Sequence, residues 1–376
     1  MRKLVLLVAV IAALLPRDLA ACLWDRDTLA MERRLFPDAH ELIAGYFVRH
    51  SDAYYQWRIK DRTAKPSDQQ TPSDQDDIAV AHDKLGNHDQ AIETILEKID
   101  RWPEQGRYET EANLGTFFIH AGQLEEGLKH IRKAIAINPD AHFGREIYQQ
   151  LLVEYLLETQ NPSGELPVFQ EQDWGRIGFA RFLLNARNPT EDNALAEIQA
   201  AAKGVMGMMR FGNHDSPVLL EALGDLLLAD ESNVDSKRLA TRAYLRASME
   251  VDDPKAIAAY RHKAFTVIEM QENVELSQVE QQLLEEISQG EALFHRISKD
   301  ESAWIDAGLD VDAEFETKYF SAPTPTFNVE EEAPETTVGP LSATGVAVCL
   351  GCLATGLIAI AVVARKRNGR RKISAT

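Results

Sequence analysis

Two short segments hold residue types in an arrangement capable of chemistry. Trp24-Asp25-Arg26-Asp27-Thr28 sets two carboxylates around a guanidinium, a pattern that could hold a cation or move a proton. Its structural alternative is equally concrete: Asp27 or Thr28 caps a helix starting near Leu29, while Trp24 packs an end of the fold. The second segment, MMRFGNHDSP, places His214 beside Asp215 with Arg210 one helical turn upstream, and a His next to an Asp is a general-base arrangement. Here too a helix entry explains the residues, since Asn213 or Asp215 precedes Ser216-Pro217, and Met206, Met208 and Met209 read as core. The ten histidines form no H-E-x-x-H and no C-x-x-C-H, and neither a Gly-rich phosphate loop nor a G-x-S-x-G elbow occurs. The sequence therefore names no catalytic residue, no cofactor and no metal-ligand set.

Whatever chemistry exists must be positioned by the segments around it. Of 376 residues, 45% are hydrophobic and 26% charged, a globular mixture with room for two or three domains. The net charge is −19, and the six cations of the last dozen residues leave −25 for the rest. So acidic a body repels phosphate backbones, which argues against a nucleic-acid partner. Three cysteines, two of them in an apolar run, support neither a disulfide framework nor a four-ligand zinc site.

The ends read as targeting segments. Arg2 and Lys3 precede the apolar run Leu4 to Leu15, followed by Pro16 and by Ala20 and Ala21, the layout of a secretory signal over residues 1–21. Leu19-Ala20-Ala21-Cys22 also fits a lipoprotein box in which Cys22 is lipidated. The charges of Arg17 and Asp18 stand where such boxes are apolar or small, which favours ordinary cleavage near Ala21. Residues 341–364 are 24 uncharged residues, long enough as a helix to span a bilayer, and the basic tail 365–376 follows at once. Positive flanks stay inside, so the expectation is a single-pass protein with an extracytoplasmic ectodomain, in the periplasm or at the cell surface, and a cytoplasmic tail near anionic lipid. Gly345, Ala347, Gly351 and Gly356 let such helices approach, a route to a dimer, and make packing the better account of Cys349-x-x-Cys352. Residues 321–340, with four prolines and four glutamates, read as a stalk.

Between the ends the pattern is helical almost throughout. Pro37-Asp38 opens a helix to about Arg49, Ser51 caps a second to about Lys65, and PSDQQTPSDQD over 66–76 reads as a linker. Further helical stretches cover 77–158, 175–211, 216–230, 236–249, 253–272 and 276–308. Ala79, Gly86, Ala91 and Pro103 recur 36 residues on as Gly115, Gly122, Gly127 and Pro139. A fixed period with small residues at fixed places predicts stacked helical hairpins: small residues where helices cross, glycine in the turn, proline past the second helix.

Leu114-Gly115-x2-Phe118 followed by Ala134 and Pro139 resembles the tetratricopeptide repeat (TPR). Two units, 72–105 and 108–141, match, and 217–254 matches as a degenerate third through Leu223-Gly224, Ala240, Tyr244, Ala247 and Pro254. The expectation is an all-α, right-handed TPR-like solenoid over 22–320, with the hairpin 38–65 and the helices 253–308 as its caps. CLWDRDTLAMERRLFPDAHELI, YETEANLGTFFIHAGQLEEGLKHI, INPDAHFGRE and GVMGMMRFGNHDSPVLLEALGDLL are similar to segments of an uncharacterised bacterial family of exported TPR proteins. That resemblance implies the repeat fold and an extracytoplasmic domain, and no activity.

TPR arrays bind peptides or proteins on the face lined by their first helices. By TPR register that lining is Asp76, Val80, Asp83 and Lys84 from one unit and Ala112, Thr116, Ile119 and His120 from the next. Val80 and Thr116 stand where chaperone-binding TPRs carry the Asn that clamps a terminal carboxylate, so that ligand mode is not expected. The favoured function is an envelope scaffold that recruits a protein or peptide. The alternative is an enzyme or ligand-binding receptor using Trp24, Asp25 and Asp27, or Arg210, His214 and Asp215.

Overall fold

The 36-residue period is a physical repeat. Helices α3 (Pro72–Lys84) and α4 (His88–Arg101) form one hairpin, and α5 (Arg107–His120) and α6 (Leu124–Ile137) form the next. On the second helices the buried set is Ala91, Ile92, Ile95 and Lys98, then Gly127, Leu128, Ile131 and Ala134, one amphipathic stripe restated. Gly86 and Gly122 sit in the two turns with the same φ of +76°, a conformation glycine adopts without steric cost. At the crossing of α5 and α6, a Cβ on Gly115 would lie 2.5 Å from Ile131 Cδ1 and 2.9 Å from the Ile131 backbone N, and one on Gly127 2.7 Å from the Gly115 carbonyl O. The backbones touch, so no side chain fits. Gly115→Leu is therefore expected to destabilise by at least about 1–3 kcal/mol through overpacking, measured by urea unfolding. Unfolding at the wild-type midpoint would show that the crossing lies elsewhere.

The structure, a computed structural model, describes residues 38–159, 166–168, 178–230, 236–271 and 274–327. Among these every regular element is helical. α1 (Ala39–Ala44) and α2 (Asp52–Thr63) precede the repeats; α7 (Arg145–Glu158), α8 (Gly178–Arg187) and α9 (Glu191–Phe211) follow them. α10 (Pro217–Ala229) and α11 (Ser236–Met249) make a further hairpin, then come α12 (Pro254–Ile268), α13 (Leu276–Asp306) and α14 (Val311–Phe315), which runs into a π turn over Glu316–Phe320. In the α10–α11 hairpin a Cβ on Gly224 would lie 2.6 Å from the Tyr244 ring, the same small-residue crossing. Pro254 does not close this unit. It is the first residue of α12, capped by Asp253, because its missing N–H costs nothing there.

Several boundaries differ from expectation for local reasons. The first helix ends at Ala44, not near Arg49, because Gly45 adopts φ +71° and its N–H closes the last turn. The expected linker over 66–76 already contains the start of α3: Thr71 and Asp74 form a capping box and Pro72 is the first helical residue. α13 is a 31-residue helix because Val279, Leu283, Ile287, Gly290, Leu293, Ile297 and Glu301 keep one buried stripe along it. The stretch 321–327, expected to begin the stalk, is tied back: the Phe327 N–H donates to Glu41 Oε1 at 2.9 Å, and its ring stacks on Tyr46 at 4.6 Å.

The elements expected to cap the two ends of the stack instead pack on one another. α2 stacks on α3 and also lies against α13, while α1 packs against α9, α11 and α13. Gly290 of α13 rests on the end of α1, where a Cβ would lie 2.5 Å from the Ala44 carbonyl O. Buried polar pairs fix the seam. Glu301, fully buried on α13, accepts from the Ser51 N–H at 3.0 Å and bonds His50 Nδ1 at 2.6 Å. Asp312 accepts from Tyr54 Oη at 2.7 Å and pairs with Arg62 and Arg58. A second buried network centres on α10, where Glu221 takes bonds from the Val168 N–H, Tyr260 Oη and Lys263 Nζ, and Asp225 from the Phe179 N–H and Tyr244 Oη.

Candidate functional site

The eight residues assigned to the inner lining lie on α3 and α5, and most of them are not open to solvent. Asp76, Val80, Asp83, Ala112, Thr116 and Ile119 are all buried. Asp76 faces inward into its own hairpin, paired with Lys98 Nζ at 2.7 Å. Val80 belongs to the core of the first hairpin, Ile119 to the main core, and Thr116 Oγ1 accepts from Gln149 Nε2 of α7 at 3.3 Å. The physical reason is the closure just described: with the stack's ends joined, neighbouring helices fill most of the inner face. Lys84 and His120 keep partial access to solvent.

Lys84 borders the other candidate segment. Its Nζ donates to the Gly212 carbonyl O at 2.5 Å, which ties the end of α3 to the loop after α9. His214 stands edge-on to Phe47 at 5.2 Å, and the same ring carries the guanidinium of Arg210 at 4.9 Å and of Arg49 at 5.2 Å. Gly45 makes room for them, since a Cβ there would lie 2.8 Å from His214 Nε2. Burial, then the charges of Arg49, Arg246, Lys84 and Arg210, hold the His214 pKa well below that of an ordinary histidine. The imidazole is thus neutral at physiological pH, in a residue that is partly buried. Burial also lowers the Arg49 pKa, and Asp215 counteracts it. Asp215 therefore serves as counter-charge to Arg49.

A third feature had no signal in the sequence. His88, the first residue of α4, bonds Asp83 Oδ1 through Nδ1 at 2.8 Å, and His120, the last residue of α5, bonds Asp83 Oδ2 through its own Nδ1 at 2.8 Å. Sequence register named Asp83 and His120 as lining and passed over His88, because an Asp and a His five residues apart across a turn match no ligand motif. Trp24, Asp25, Asp27 and Cys22 lie outside the described residues, as do the expected signal, most of the stalk, the span 341–364 and the tail. Among the described residues no helix is long and apolar enough to cross a membrane. A cleft of about 660 Å³ opens elsewhere, over Arg62, Asp74, Asp77 and Asp312 at the seam. Its charges already pair with one another, which marks it as part of the closure. Compared with protein-family models, with curated proteins and with solved structures, the chain matches none.

Proposed function

We propose that this chain is a membrane-anchored, extracytoplasmic scaffold of the tetratricopeptide type, akin to the exported TPR proteins its motifs resemble, which binds an acidic segment of a protein partner in the cell envelope. The observation that carries this is the gathering of Arg49, Lys84, Arg210 and Arg246 around His214. A chain with a net charge of −19 sets these four cations at one place, against the carboxylates of Asp215, which faces Arg49, and Glu250, which pairs with Arg246 at 2.6 Å. Low-dielectric walls strengthen the positive potential of the cations in excess. The signal-like residues 1–21, the apolar segment 341–364 and the basic tail supply the placement, with the tail against anionic lipid and nucleic acid excluded by charge. The runner-up, an enzyme or small-ligand receptor, draws support from the neutral, partly buried imidazole of His214, which can accept a hydrogen bond from a ligand.

Capture of envelope proteins by the full-length, detergent-solubilised chain tests the scaffold. Lys84→Gln combined with Arg246→Gln removes two partly exposed cations of the cluster, and Glu93→Lys with Lys129→Glu alters exposed outer positions as a control. Wild type and control are expected to capture the same partner, more weakly at high salt, and the inner pair to lose at least about tenfold in affinity. Equal capture by both pairs removes the inner face from consideration. Loss of turnover in His214→Ala with capture unchanged would favour the enzyme.

A further inference from the structure

We propose that Asp83, His88 and His120 form a binding site for one zinc-class divalent cation. Their ligand-capable atoms all lie within 4.8 Å of one another, two imidazole nitrogens and a carboxylate oxygen contributed by the ends of three helices from two successive repeats. Tetrahedral zinc holds N and O ligands at about 2.0–2.2 Å, which sets neighbouring ligand atoms about 3.3–3.6 Å apart. The present Nδ1 to carboxylate distances of 2.8 Å must widen by about half an ångström, and the two imidazole nitrogens, which lie within 4.8 Å of each other, must settle to the same spacing, changes within the reach of side-chain torsions. Both imidazoles already aim Nδ1, the atom that would ligate, at one carboxylate.

The surroundings favour a cation and give it a way in. The Asp83 carboxylate is 2% exposed and His120 10%, while His88 is 29% exposed and forms the solvent side. Asp83 and His120 stand at the C-terminal ends of α3 and α5, where the unsatisfied carbonyls carry partial negative charge. Two imidazoles and one carboxylate suit zinc, cobalt(II) or nickel(II) better than calcium or magnesium, which prefer an all-oxygen shell. Three protein ligands leave a fourth position to water or to a group from outside the chain.

Isothermal titration of the full chain, freed of metal by chelator and dialysis, with zinc chloride provides the test, and cobalt(II) absorption reports the geometry. One ion per chain is expected, with intense visible bands from tetrahedral cobalt and a zinc-dependent rise in melting temperature. His88→Ala and Asp83→Asn should each weaken binding by at least about tenfold and abolish the cobalt bands, with helical circular dichroism unchanged. His130→Ala, which removes an imidazole bonded to Glu111 at 2.6 Å, should leave binding as in wild type. Absence of zinc binding at about 100 times the protein concentration overturns the proposal. So does binding that survives both His88→Ala and Asp83→Asn, because the ion then sits on other histidines.

Discussion

Replacing Asp312 by alanine is expected to cost about 3–5 kcal/mol of stability, the penalty for stranding buried positive charge. Asp312 accepts from Tyr54 and from Arg62, and Arg58 Nη2 lies 3.7 Å from its Oδ1 with no exposed side-chain surface. Without the carboxylate, the buried Arg58, which also donates to Tyr54 Oη, loses the counter-charge at 3.7 Å, Arg62 loses one of its carboxylates, and Tyr54 Oη loses its acceptor. Removing Asp312 also takes away the ion pairs between α14 and α2 and leaves ring contacts such as Phe315 on Tyr54 to hold that seam. The control is Asp310→Ala, two residues earlier, which removes only the exposed cap on the Ala313 N–H and should cost about 1 kcal/mol. Acid should reproduce the effect. Burial works to raise the Asp312 pKa, but Arg58, the Arg62 and Tyr54 hydrogen bonds and the Arg62 charge outweigh it, and the folded-state value is lowered. The contribution is therefore complete above the unfolded value of about 3.9 and disappears as pH falls through the folded value. Wild type and variant should converge in strong acid. Equal melting of the two at pH 7 would mean that the ends are held by other contacts.

The fold was legible wherever the controlling physics was local. Helix bounds at 217–229, 236–249, 254–268 and 276–306 follow from apolar period and caps, and the glycine turns follow from the 36-residue offset. The capping box Thr71-Pro72-Ser73-Asp74 was equally local, but it lies inside a polar stretch whose composition reads as linker. The closure is another matter. Ser51 meets Glu301 and Arg62 meets Asp312 across 250 residues, and no periodicity encodes which distant face a helix end will find.

The site divides the same way. TPR register assigned Asp83, Lys84 and His120 to the lining, and the structure places Asp83 and Lys84 at the end of α3 and His120 at the end of α5. Register says which way a residue points and nothing about what covers it, so the burial of Val80, Ala112, Thr116 and Ile119 escaped it. His214 stood out for its neighbour Asp215, yet its setting is made by Arg49, Lys84, Arg210 and Arg246, each on a different element. His88 escaped notice because its partner across the turn is a single Asp and its second neighbour lies in the next repeat.

Lys98→Met is expected to cost about 3–5 kcal/mol at about pH 9, and a second substitution, Asp76→Ala, to recover most of the loss. The expectation comes from aligning the repeats. Where the second hairpin buries Ala112 with Ala134, the first buries Asp76 with Lys98 at the same two positions, each 36 residues earlier. The scaffold thus tolerates either an apolar or an ionic pair, but not half of the ionic one. Lys98 Nζ bonds both Asp76 oxygens, at 2.8 and 2.7 Å, and has no exposed side-chain surface. Methionine keeps the length of the stem while removing the charge, so the loss reports the stranded carboxylate rather than a cavity. Acid gives the sign. Burial pushes the Asp76 pKa up to about 7 even against the pull of Lys98, and without Lys98 it must rise further. A carboxyl raised in the folded state carries its full penalty above the folded pKa and sheds it as pH falls toward the unfolded value of about 3.9. Wild type and variant differ in Asp76 protonation only between the wild-type value of about 7 and the higher value of the variant. The deficit of Lys98→Met should therefore shrink as pH falls from about 9 to about 6, while that of Asp312→Ala holds over the same range. Urea midpoints at the two pH values, for wild type, the single variant and Asp76→Ala/Lys98→Met, decide the matter. A deficit independent of pH, or a double variant no more stable than Lys98→Met, would place the cost in lost packing around Lys98 and not in the buried charge.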